Sequence, residues 1–204
     1  MSGCCGNDCS LDRLRERQRG TLQAVLVINA VMFFVIVAAA LHARSSALLS
    51  DSLDNLGDAL TYGLSLYAVS KGTAAKARVA LFKGGLILAA ALAVVAQIAF
   101  GLVSPVVPAF DEMGVFSLVG LAANSICLFL LWRHRHEDVN MSSVWECSRN
   151  DIASNLSVFV AAAAVWLTGS GWPDILVASG LVVLLLRSAA RVISSARTEL
   201  AATA

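Results

Sequence analysis

Residues 50–60 read SDSLDNLGDAL and sit inside a long apolar run. Asp51, Asp54 and Asp58 fall within eight residues of one another. A charge near the centre of a bilayer costs between ~2.5 and ~17 kcal/mol, depending on how it is measured. The surroundings of this stretch therefore decide what it is for. The chain has 204 residues, 58% of them hydrophobic and 14% charged, with a mean hydropathy of +0.75. An average globular protein carries roughly 25% charged residues. The composition is that of a membrane protein, and no acidic or basic block points to nucleic acid.

Working outward, six segments are long enough to span: Thr21–Leu41, Ala47–Val69, Leu81–Val103, Met113–Trp132, Val144–Thr168 and Trp172–Ala190. Each has about the 20 mostly apolar residues that a helix rising ~1.5 Å per residue needs to cross ~30 Å of hydrocarbon. Isolated strands would leave backbone groups unpaired in lipid. The second and fifth segments are the weakest in hydropathy because they carry acidic residues. The last contains Arg187, whose long side chain can snorkel to the interface. With six spans, both termini and the second and fourth loops share one side. Of the 15 lysines and arginines, only Arg44 falls on the other. The positive-inside rule then puts both termini in the cytoplasm.

The expected fold is an all-α membrane protein, a six-transmembrane-helix bundle. It divides into a cytoplasmic Cys-containing tail over residues 1–20, a transmembrane domain over 21–198 and a short tail over 199–204, with no room for a further folded domain. The first twenty residues lack an apolar core, so no cleavable signal peptide is expected. Pro105 and Pro108 lie in an outward loop. Pro173 opens the sixth helix just before Asp174, an arrangement suited to a helix N-terminus.

Asp54 and Asp58 are four apart and lie one above the other on a helix face, with Asp51 on nearly the same face. If the second helix begins near Ala47, Asp54 is about 10 Å in and Asp58 about 16 Å in. Such groups face the bundle interior or a water-filled cavity, not lipid. The fifth segment carries WECSRNDIASN over residues 145–155, where Cys147 and Asp151 are again four apart and Asn155 is one turn further on. Two helices that each offer two ligands at i and i+4 can surround one ion with four donors. Thiolate and carboxylate oxygen in tetrahedral coordination suit zinc, and the thiolate favours softer cadmium too. Interhelical packing is the plainer account of an intramembrane aspartate, and Asp51 fits it best. No lysine or arginine lies at comparable depth to neutralise Asp54 and Asp58. Cys147 taken alone would be a small buried residue; its spacing from Asp151 makes it a candidate ligand.

These residues carry a family likeness. SSALLSDSLDNLGDAL, residues 45–60, resembles the second helix of the cation diffusion facilitators, six-helix divalent-metal/proton antiporters. Asp54 and Asp58 stand at the two ligand positions of that motif. RNDIASN resembles the fifth-helix motif, with Asp151 and Cys147 at its ligand positions. Gly120 and Asn124, in LVGLAANSICLFLL, are similar to the fourth helix. The resemblance runs from about Leu22 to Leu200. It departs from the family in stopping without the usual cytoplasmic ferredoxin-like domain. It departs also in having Cys147 where histidine or aspartate is usual, which pushes preference towards soft ions.

The resemblance implies metal efflux by alternating access and a multi-pass protein of the bacterial inner (plasma) membrane. Four acidic groups in a small cavity cannot all be ionised when empty, and a divalent ion needs deprotonated ligands, so its binding expels protons. Asp54, Asp58, Cys147 and Asp151 are then ligands and proton carriers at once. Asp51, Asn155 and Asn124 support them from behind. The expected cargo is zinc or cadmium, with cobalt, nickel, iron and manganese as alternatives. The partners are protons, lipid and a second copy through transmembrane helices, and no cofactor is expected.

Two further clusters are candidates for metal capture. Cys4, Cys5 and Cys9 lie in a reducing compartment where disulfides do not persist, and His134 and His136 lie in the fourth loop. An inert tail and a solvated charged loop are the plainer accounts. His42 is expected at the outward interface and Cys127 in the core. The competing functions are an uncoupled metal channel, a membrane metal sensor and an intramembrane aspartyl protease built on Asp58 and Asp151. The i, i+4 partners and the thiol are better explained by metal than by an enzyme.

Overall fold

Apolar runs that meet proline only at their ends have no reason to break as helices, and helix is what forms. The computed structural model describes the backbone of residues 5–68, 73–132 and 139–202. Side chains are described from Arg19 onward, apart from scattered positions that include Cys147. Six helices lie among the described residues: α1 (Cys5–Ala43), α2 (Ser46–Ala68), α3 (Thr73–Val103), α4 (Phe110–Trp132), α5 (Val139–Thr168) and α6 (Trp172–Ala202). The helices outrun the apolar segments. The polar stretch before Thr21 continues α1 from Cys5, and α6 runs into the short C-terminal stretch as far as Ala202. Internal i→i−4 bonds hold a helix together in either solvent.

Five helices have stretches long and apolar enough to cross a membrane: Arg19–Ala43, Ala80–Val103, Phe110–Trp132, Ser148–Thr168 and Trp172–Thr198. The second helix is not among them. At 23 residues it would reach about 35 Å, so length is not what it lacks. Its position supplies the physical reason, because α2 packs against every other helix of the bundle. No described residue of α2 is exposed. A helix enclosed by protein needs no apolar average, and Ser50, Asp51, Ser52, Asn55 and Asp58 are all buried in it.

The other five helices turn apolar side chains outward. Phe34, Phe82, Phe100, Phe129 and Leu167 are among the most exposed, whereas Asn29, Ser117, Asn124 and Asn155 are buried. An apolar exterior with amides among the buried residues is unlike a water-soluble bundle, whose polar residues are mostly exposed. α1 packs on α2, α3 on α6 and α4 on α5.

One end of the bundle is tightly fastened. α1 and α2 are joined through Arg44 and Ser45. Arg44 adopts a left-handed φ of 55°, a conformation that ends a helix and that few non-glycine residues take. Ser45 N–H donates to the Ala40 carbonyl at 3.0 Å. The Ser45 hydroxyl oxygen accepts from Leu48 N–H at 3.0 Å, as an N-cap does. The Ala43 carbonyl accepts from Ala109 N–H at 3.0 Å, which ties α1 to the start of α4. Asp174, from the first turn of α6, completes the turn. Its carboxylate accepts from Ser46 N–H at 2.8 Å, Ala47 N–H at 3.1 Å and the Ser45 hydroxyl at 2.5 Å. Asp174 thus serves the N-terminus of α2 as well as lying at that of its own helix.

Candidate metal-binding site

The i, i+4 spacing on α2 stacks Asp54, Asp58 and then Tyr62 along one line. Asp58 and Tyr62 are buried, and the Tyr62 hydroxyl donates to the Asp58 carboxylate. α5 crosses this line. Asp151, buried like Asp58, makes a carboxyl–carboxyl hydrogen bond with it. One turn away, Asp54 accepts from the Ser154 hydroxyl of α5. Asp51, one turn further again, is fully buried and lies within electrostatic reach of Asp54 and Asp151. Neither of its carboxylate oxygens has a hydrogen-bond partner among the described residues.

α5 presents Ser148, Asp151 and Asn155 on a single buried face. Asn155 donates from Nδ2 to the Asp151 carbonyl at 2.8 Å. That leaves its Oδ1, the Ser148 Oγ and the Asp151 Oδ2 without partners among the described residues. α4 lies close behind. A Cβ added to Gly120 would come within 2.0 Å of Asn155 Oδ1, so the absence of a side chain at Gly120 makes room for that amide. Asn124, one turn on from Gly120, is buried, and neither end of its amide is bonded. Asn29 of α1 donates from Nδ2 to the Val25 carbonyl at 3.0 Å and to Cys127 Sγ at 3.7 Å.

The sequence-derived ligands therefore meet in part. Asp58 and Asp151 touch, Asp54 lies one turn away bonded to Ser154, and Cys147 lies on α5 one turn before Asp151, its side chain outside the described residues. Among the described residues no three His, Cys, Asp or Glu side chains converge closely enough to hold a metal. The residues expected to support the ligands, Asp51, Asn124 and Asn155, are all buried. Of the two secondary clusters, Cys4, His134 and His136 lie outside the described residues. Cys5 and Cys9 lie on α1, with side chains outside them. His42 is exposed as expected, and its Nδ1 pairs with the Glu112 carboxylate at 2.8 Å. Cys127 is buried.

Sequence reasoning passed over four residues here. Tyr62 carried a usable signal, being the third member of an i, i+4, i+8 series with Asp54 and Asp58. Asn29 carried a weaker one, as a lone amide in the apolar run VLVINAVMFF. Ser154 and the long-range role of Asp174 had none.

The arrangement can hold protons or a cation. Two carboxyls in contact require one or the other between them, because two carboxylate oxygens repel. Hydroxyl and amide groups around them supply further neutral donors.

Comparison with curated proteins gives no match. The model of the cation efflux transmembrane domain matches residues 22–201, which takes in the paired carboxylates, the α4 glycine and asparagine, and all of the apolar helices. The chain therefore belongs to the cation efflux family, the cation diffusion facilitators, and is a multi-pass membrane transporter of metal cations.

Proposed function

We propose that the chain exports a soft or borderline divalent ion, zinc or cadmium, in exchange for protons. Asp54, Asp58, Cys147 and Asp151 are its ligands. The observation that carries this reading is the buried Asp58–Asp151 contact between α2 and α5. A proton shared by that pair is what a divalent cation displaces, because the ion needs both carboxylates deprotonated. Metal entry and proton departure thereby become one event. Asp54 reaches the pair by leaving Ser154, a side-chain rotation from one turn away. Cys147 supplies the fourth donor from the turn preceding Asp151, completing a tetrahedral set of carboxylates and one thiolate.

In this reading all six helices cross the membrane, α2 as the enclosed one, and both termini are cytoplasmic. That orientation follows the distribution of Lys and Arg. Residues 21–198 form the transporting domain, flanked by a Cys-containing tail and a short C-terminal stretch. The location is the bacterial inner membrane, and a homodimer would form through transmembrane helices. With the proton gradient directed inward, exchange drives metal out of the cytoplasm. Asp51, Asn124 and Asn155 hold the ligands in place from behind.

The test is metal movement into proteoliposomes under an imposed pH gradient, with zinc, cadmium, cobalt and manganese compared. Uptake of zinc and cadmium should depend on the gradient and vanish in Asp54→Ala. In Cys147→Ser the ranking of cadmium against zinc should fall. Uptake indifferent to the gradient would make the protein a channel, and metal bound but never moved would make it a sensor.

A further inference from the structure

We propose that Asn29 of α1, with Asn124 and Cys127 of α4, forms a second wall of the ion site. This wall presents the two amide oxygens to an ion held by Asp58 and Asp151, with Cys127 holding the Asn29 amide in place, and so raises the affinity for the ion. The inference rests on the proposed ion site and adds to its ligands.

The register between helices places these groups together. α4 and α5 are consecutive, pack along each other and run antiparallel. Gly120 faces Asn155, and further along the Trp132 and Trp145 rings meet with centroids 6.2 Å apart. One turn along α4 from Gly120 is Asn124, and one turn back along α5 from Asn155 is Asp151, so these two lie at one level. Cys127 lies about one turn further along α4, level with Ser148 of α5 and within electrostatic reach of Asp151 and Asp58. Asn29 joins it there by direct contact, 3.7 Å from Nδ2 to Sγ.

The plainer account is that buried asparagines fasten transmembrane helices together by hydrogen bonds across an interface. Asn124 does not do this. It is 1% exposed, and neither its Oδ1 nor its Nδ2 has a partner among the described residues. Asn29, also 1% exposed, uses its Nδ2 but leaves Oδ1 without a partner. The orphaned Asn124 oxygen lies at the level of Asp151, whose Oδ2 is orphaned too, and the orphaned Asn29 oxygen lies about one turn along. Unpartnered buried acceptors next to a carboxyl pair are what a cation would satisfy. Cys127 has an apolar side, formed by Leu22, Val25, Tyr62 and Leu131, which explains its burial but not the amide directed at its sulfur.

Neutral donors differ from carboxylates in one measurable respect. An amide oxygen binds a cation without first losing a proton, so it raises affinity and leaves the number of protons released per metal unchanged.

The experiment uses the full chain in detergent with Cys4, Cys5 and Cys9 replaced by serine, so that only the bundle thiols remain. Calorimetry in buffers of different ionisation enthalpy gives the Kd for zinc, cadmium and manganese and the protons released. Asn29→Ala and Asn124→Ala should each weaken binding at least about tenfold with proton release unchanged. Asn124→Asp, which keeps an oxygen, should restore affinity. Cys127→Ala, which frees the Asn29 amide, should weaken binding of all three metals less than Asn29→Ala does. Affinities within about twofold of the parent in both alanine variants, or equal loss in Asn124→Ala and Asn124→Asp, would overturn the proposal. Asp151→Ala separates the two readings. If it abolishes binding while the alanine variants change nothing, only the second wall fails; if it too changes nothing, the ion site itself fails.

Discussion

Asp174 and Asp51 are both aspartates buried in the bundle, 2% and 0% exposed, yet their surroundings are opposite. Asp174 lies at the fastened end, where two backbone N–H groups and a hydroxyl converge on its carboxylate. Asp51 lies in the second turn of α2 and has no hydrogen-bond partner among the described residues. Asp151, Asn155 and Asn124, on the helices beside α2, each keep an orphaned atom as well. An unmade buried hydrogen bond costs about 1–3 kcal/mol, so one region is built for stability and the other tolerates a standing cost. Such a cost is characteristic of a working site, where unsatisfied groups await a ligand and the rest of the fold supplies the stability.

The comparison breaks most sharply if function and stability respond together. Asp151→Asn keeps size and polarity but removes the charge of a proposed ligand, and should reduce transport at least about 100-fold in proteoliposomes. The metal-free melting temperature should hold or rise, because the Asn amide can donate to the Asp58 carboxylate without a proton shared by the pair. A fall of many degrees would mean that Asp151 is structural after all. Asp174→Ala should do the reverse. Loss of its three bonds should cost about 3 kcal/mol of stability, seen as a lower melting temperature, while the Kd for zinc changes little.

A third substitution lies between these extremes. In Gly120→Ala the new Cβ would collide with Asn155 Oδ1, forcing the amide away from the Asp151 carbonyl that it now bonds. Overpacking of this kind costs about 1–3 kcal/mol, and metal affinity should fall about tenfold as the support behind Asp151 is lost. Calorimetry and a thermal melt on one preparation would show both. The smallest effect belongs to His42→Ala. The His42–Glu112 pair joins an exposed imidazole to the start of α4, and an exposed pair contributes about 0.2–1 kcal/mol. Transport should be unchanged, and a large loss there would place function at the fastened end as well.

The fastened end also explains how α2 can carry so many polar groups without an apolar average. Its N-terminal N–H groups are satisfied by Asp174, and its polar residues are covered by neighbouring helices. Hydropathy sums a residue's transfer cost as though every helix met lipid, so it undervalues a helix that meets none. The weakness expected of the second segment appears for that reason. The fifth segment, equally suspect at first sight, does contain a span once it is taken from Ser148, because Val158–Leu167 are all apolar.

The sequence by itself determined what depends on neighbours along the chain. Apolar runs and proline placement determined six helices, though not how far their polar ends extend. The i, i+4 spacing determined that Asp54 and Asp58 share a face, and likewise Asp151 and Asn155, because helical geometry is local. What only the tertiary structure decided is the register between helices: that Asp58 meets Asp151, that Asp54 turns to Ser154, that Asn29 reaches Cys127, and that Asp174 caps a helix well over 100 residues earlier in the chain. No local rule encodes those meetings. They follow from how six side-chain surfaces fit at once, and a shift of one turn between α4 and α5 would leave every helix intact while moving Asn124 away from Asp151.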